Sequence, residues 1–242
     1  MGEPKKTIVE DLDALQEQTS LPFVHITATL STMGDAYRKL GELLGMPDEA
    51  EELAVYCDDI YAKVVALSDS VTEKPRLLYL LGDQGLNVIA KDSFHAEVID
   101  LLSDNIAVVD EPSSKGTGNE IDMEQLMVWN PDVILFAPGS VFATVGDNPD
   151  WQSISAIANN AYYEVPFGPY NWMGFPPSVQ RYLGMMWMSH LLYPDQFDHD
   201  LYEDAAKYFE LFYHADLTQE QYDALVANSI GKLETAPAQY QR

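Results

Sequence analysis

The chain has 242 residues, 47% of them hydrophobic, which is enough to bury a substantial core and argues against general disorder. Thirteen Lys plus Arg against 39 Asp plus Glu leave a formal net charge of −26, and a surface that acidic repels nucleic acid and anionic membranes. Cys57 is the single cysteine, so an intramolecular disulfide is excluded and a buried, inert thiol on a helix is expected.

Residues 8–18 carry Ile8, Leu12 and Leu15 at helical spacing. The short apolar run 21–26 is rich in β-formers and predicts a strand. A polar loop over 27–32 precedes a second helical pattern through Met33, Tyr37, Leu40 and Leu44. Gly45 reads as its C-cap and Pro47 as the first-turn proline of the next helix. That helix covers 48–70, with Leu53, Ile60, Val64 and Leu67 on one face. At ~1.5 Å per residue it is about 35 Å long.

After Pro75 the pattern changes to strands alternating with helices. Strands are predicted over 76–81, 106–109, 132–137 and 161–165. Helices are predicted from the Ser93 cap to Leu102, from the Asp122 cap to Trp129, over 151–158 and over 178–192. A Ser-, Lys- and Gly-rich loop fills 112–119, and the last 50 residues read as helices rich in Tyr and Phe. Strands alternating with helices of this length specify an α/β fold around a parallel sheet covered on both faces.

Familiar catalytic signatures are missing: there is no GxSxG elbow, Walker loop or HExxH. Gly116 and Gly118 do not join a strand directly to a helix and fail as a dinucleotide fingerprint. His25, His95, His190, His199 and His214 are scattered, and His95 and His199 read as solvated or capping residues before metal ligands. The sequence points to neither a bound metal nor a cofactor. Open parallel sheets bind ligands beyond the carboxyl ends of their strands. Those ends are 82–87, 137–142 and 166–175. The third holds Phe167, Tyr170, Asn171 and Trp172 among prolines, a turn stiffened before any ligand arrives. For Trp172, closing the sheet against the following helix is an equal reading. No stretch is long enough to span a membrane, and residues 1–6 lack the apolar core of a signal peptide.

Several phrases resemble the metal-chelate binding proteins of ABC transporters, the family of carriers for ferric siderophores, haem and cobalamin. Glu124-Gln125-Leu126 followed by Asn130-Pro131-Asp132-Val133-Ile134 is one. Pro149-Asp150-Trp151 through Val165-Pro166 and Gly168-Pro169-Tyr170-Asn171-Trp172 through Ser178 are others. Leu183-Gly184-Met185-Met186-Trp187, Leu192-Tyr193-Pro194, and Tyr208 to Tyr213 followed by Leu217-Thr218 complete the series. Upstream, Gly41 to Gly45 and Glu49 to Leu53 resemble the start of the family's hinge helix. The phrases are collinear over residues 33–227.

The resemblance implies two α/β lobes joined by a long rigid helix, a ligand held between the lobes, and docking on a membrane permease. It divides this chain into a remnant of the N-terminal lobe (1–30, a helix and a strand), hinge helices (31–74) and a parallel-sheet C-terminal lobe (75–242). Most of the N-terminal lobe and the export signal are then expected to be missing, for a protein working in the periplasm or at the cell surface. Ligand-binding roles fall on Asp83, Ser140, Tyr170, Asn171 and Trp172, with an iron-siderophore or other metal chelate as ligand. Lys91 and Arg181 are the few basic candidates for an anionic ligand. A strand at 21–26 without sheet neighbours is expected to pair with a second copy, giving a homodimer through the N-terminal segment. Two other readings stay open: a protein-interaction module built on this lobe, and a metal-dependent α/β enzyme using His95 and Asp83.

Overall fold

The computed structural model describes residues 1–174 and 176–229, which divide into two compact units, Met1–Lys63 and a second from Val64 onward. The division falls inside the longest helix. In the first unit α1 covers Ile8–Thr19, α2 covers Met33–Leu44 and α3 begins at Pro47, running to Ser70. Gly45 ends α2 in the left-handed conformation (φ 70°), with its N–H on Gly41 O. Gly41 lets the two helices approach closely, since a Cβ there would lie 2.3 Å from that of Ala50. Arg38 fastens α2 to α3, through Nε to Glu51 Oε2 at 2.8 Å and Nη1 to Asp58 Oδ2 at 2.8 Å. Cys57 is fully buried in α3.

The strand predicted at 21–26 does not form. The segment is irregular; the nearest bridge is Gly2 with Thr27, just past its end, with Gly2 N donating to Ile26 O at 3.1 Å. Pro22 has no N–H to offer, and no strand of this unit lies alongside to reward extension. Leu21 is 60% exposed and Val24 66%. α1 forms where its spacing predicts, yet it buries no residue.

The second unit is built on a six-stranded sheet: β1 (Arg76–Leu81), β2 (Asn87–Val88), β3 (Asp104–Asn105), β4 (Asn119–Glu120), β5 (Val133–Phe136) and β6 (Tyr162–Glu164). The order is β4-β2-β1-β5-β6, with β3 also on β1. β1 pairs in parallel with β5 and β3, and β5 with β6. On the outer side of β1 an antiparallel pair, β2 and β4, extends the sheet. The strand predicted at 106–109 is corrected to Asp104–Asn105. Asn105 Oδ1 accepts from Ala107 N (3.1 Å); Ile106 N still donates to Leu77 O of β1 (3.3 Å), but residues 106–109 form no strand.

The helices are α4 (Glu97–Leu102), α5 (Met123–Trp129), α6 (Phe142–Val145), α7 (Ser155–Ala158), α8 (Arg181–Leu192), α9 (Leu201–Tyr208) and α10 (Gln219–Val226). Asp122 caps α5 by accepting from Gln125 N at 2.8 Å. Arg76 meets the other end of α5, donating to Trp129 O and Asn130 O, where a cation suits the helix dipole. Leu78, Leu80, Ile134 and Phe136 pack with Phe142, Trp151 and Tyr162 in one core cluster. Their strand neighbours Leu77, Tyr79, Val133 and Leu135 point to the opposite face and are equally buried. α8 is buried along all but one of its residues, which explains why its sequence is apolar all round. No helix among the described residues is long and apolar enough to cross a membrane.

Candidate functional site

Parallel strands end together, so the loops after β1, β5 and β6 gather at one end of the sheet. Leu81 and Gly82, Ala137 and Pro138, and Phe167 and Asn171 all line one groove of about 570 Å³. Its remaining wall comes from the other edge of β1: Asn87 of β2, Glu120 of β4, and the loop from Gly116 to Gly118. Tyr79 of β1 completes the lining. Ser140 ties two of the loops, its Oγ donating to Gly82 O at 2.7 Å. Gly118 (φ 71°) seats this fourth wall, because a Cβ there would stand 2.5 Å from Val88 O.

The aromatic turn is a closed structure. Phe167 bridges Asn171, Gly168 N donates to Tyr170 O (3.0 Å), and Trp172 N donates to Pro166 O (3.2 Å). Asn171 is buried and fixes both the turn and the groove. Its Oδ1 accepts from Met173 N (2.8 Å) and Gly174 N (3.2 Å). Two backbone donors on Oδ1 leave no ambiguity about the amide, so Nδ2 faces Tyr79 and donates to its hydroxyl at 2.9 Å. Burial pushes the Tyr79 phenol above its ordinary pKa and keeps it protonated.

The five residues nominated from sequence therefore separate. Asn171 lines the groove and Ser140 braces its rim. Asp83 is exposed in the turn after β1, outside the lining. Tyr170, 52% exposed at the tip of its turn, also stands outside it, whereas Phe167, 57% exposed, reaches in. Trp172 offers no stacking face: it is fully buried, with Nε1 donating to Gly168 O at 3.1 Å. The turn was expected to reach residue 175, which lies outside the described residues.

The basic candidates are committed elsewhere. Arg181 is buried, bonded to Glu97 and Phe94 O, with its guanidinium 4.6 Å above the Phe94 ring. Lys91 pairs with Asp104 at 3.4 Å. His95 Nδ1 lies 3.0 Å from Gly174 O, and His199 pairs with Asp204. Among the described residues no cluster of three or more His, Cys, Asp or Glu is placed to hold a metal. Sequence reasoning placed Asn87 at the end of a candidate loop but missed Tyr79, Glu120 and the Gly116–Gly118 loop as parts of the site. Tyr79 was hidden inside an apolar strand, and β2 and β4 are two residues long, too short for a periodic signal.

The profile of a family described as periplasmic binding protein matches residues 7–168. An ABC transporter solute binding protein from Sulfurospirillum deleyianum superposes with a TM-score of 0.84 at 24% identity, over 93% of this chain and 71% of that one. The molybdate-binding protein MolA of Haemophilus influenzae is 29% identical over 97 residues, 39% of this chain and 27% of MolA. The high-affinity heme uptake protein IsdE of Staphylococcus aureus is 23% identical over 176 residues, 67% of this chain and 59% of IsdE. This chain thus spans less than two thirds of either curated relative.

Proposed function

This chain belongs to the periplasmic binding protein family, and on that premise we propose that it is the substrate-binding component of an ABC transporter, a carrier rather than an enzyme. Its cargo on this reading is a metal chelate of the iron-siderophore class, its partner an ABC permease, and its place of action outside the cytoplasm. The assignment of 1–30, 31–74 and 75–242 to lobe remnant, hinge helices and binding lobe belongs to the same proposal.

The groove at the strand ends is the observation that carries this reading. Three loops from separate strands and a glycine-seated fourth wall converge on it, with apolar surface from Leu81, Pro138 and Phe167 and a few fixed polar groups. A carrier needs a fixed shape and oriented hydrogen bonds: the Ser140 and Asn171 bonds brace the loops, and Tyr79 stands in the lining with its hydroxyl held by Asn171. MolA and IsdE differ in what their names say they bind, so cargo must be tested directly. Tryptophan and tyrosine emission of the whole chain, followed during additions of ferric siderophores, haem, cobalamin and molybdate, is expected to saturate with at least one metal complex. A flat response to every compound would sink the carrier reading.

A further inference from the structure

We propose that the groove takes a neutral or cationic ligand of largely apolar surface, one that presents a hydrogen-bond acceptor to the Tyr79 hydroxyl, and that it turns small oxyanions away. This rests on the reading of the groove as a ligand site and adds the chemical class of the ligand.

The first support is charge. Among the described residues, Glu120 is the one carboxylate in the lining, and no Lys, Arg or His contributes to it. Arg181 is held at Glu97 and Lys91 at Asp104, while Lys115, next to Gly116 in the chain, is not part of the lining. The Gly118 N–H, a group that might otherwise cradle an anion, is spent on Lys115 O at 3.0 Å. An anion entering here would shed water, meet a carboxylate and find no cation in return. The net charge of −26 adds a repulsive field of the same sign at long range.

The second support is an unspent donor. Asn171 donates to the Tyr79 oxygen, so that bond uses the acceptor side of the hydroxyl. Among the described residues no group accepts the phenolic proton, which is left for another partner, and Tyr79 lines the groove. Carbonyl, amide and hydroxamate oxygens fit that donor. Leu81, Ala137, Pro138 and Phe167 around it offer apolar contact and one aromatic face.

The test is calorimetric titration of the full chain with neutral cyanocobalamin, cationic ferrioxamine B, and the anions ferric enterobactin, haem and molybdate. The tightest binder is expected to be neutral or cationic. Tyr79→Phe, which keeps the ring, should weaken that ligand roughly tenfold; it also leaves the buried Asn171 Nδ2 without its acceptor, so the thermal midpoint falls somewhat, while a single cooperative unfolding transition shows that the fold persists. Glu120→Gln should weaken ferrioxamine about threefold more than cyanocobalamin. If an anion binds tightest, or Tyr79→Phe binds like the parent, the inference is overturned and the carrier reading stands. If nothing binds, the carrier reading falls and takes the inference with it.

Discussion

Asn171 holds three positions at once: two backbone N–H groups of its own turn and the hydroxyl of a residue 92 positions away. Removing its side chain orphans buried donors, and each costs on the order of 1–3 kcal/mol. Asn171→Ala is therefore expected to lower unfolding free energy by about 2 kcal/mol or more in urea, and to lose groove binding together with stability. Trp172→Ala should cost more still, roughly 3–5 kcal/mol, as a large buried ring is lost. The aromatic turn was legible as a feature because prolines, glycines and aromatics cluster there. Which ring faces the groove was not legible. That depends on the backbone bonds closing the turn, which send Trp172 inward, leave Tyr170 at the tip and bring Phe167 to the lining.

Among the elements, α8 supports the site from behind. Gly184 leaves room for the turn, since a Cβ there would stand 2.4 Å from Trp172 O. Alanine in a helix normally gains about 1 kcal/mol over glycine; here the backbone clash outweighs it, so Gly184→Ala is expected to lower the melting temperature. His190, also on α8, has its pKa lowered, mainly by burial and with partial opposition from Asp200. A lowered folded-state value means that the unfolded chain takes up the proton first. Stability from this group is present above the ordinary histidine value of about 6.5 and is lost as pH falls below it. His190→Gln should therefore flatten part of the decline in stability on acidification, read by denaturant unfolding at several pH values. Long elements were legible because their apolar spacing persists: α2, α3, β1 and α5 lie close to where the sequence predicts them. β2 and β4 were not, because pairing with a neighbour, rather than local propensity, creates a two-residue strand. The run at 21–26 shows the converse, where propensity without a partner yields no strand.

For the molecule as a whole, the unit Met1–Lys63 exposes Leu15, Leu21, Val24, Leu43, Leu44 and Met46. Apolar side chains in that number invite association, so a homodimer through the N-terminal segment remains our proposal, without the strand that first suggested it. Sedimentation at rising concentration is expected to show self-association, and Leu21→Glu with Val24→Glu to reduce it; a monomer at all concentrations would end that proposal. The central claim concerns the other unit: the carboxyl ends of its strands form the ligand wall. Amide hydrogen exchange, with and without a saturating metal complex chosen from the titration, tests it most directly. Protection is expected over residues 79–87, 116–120, 137–142 and 166–174. Protection confined to the opposite end of the sheet, around Ser70 to Pro75 and Gln196, would contradict the account.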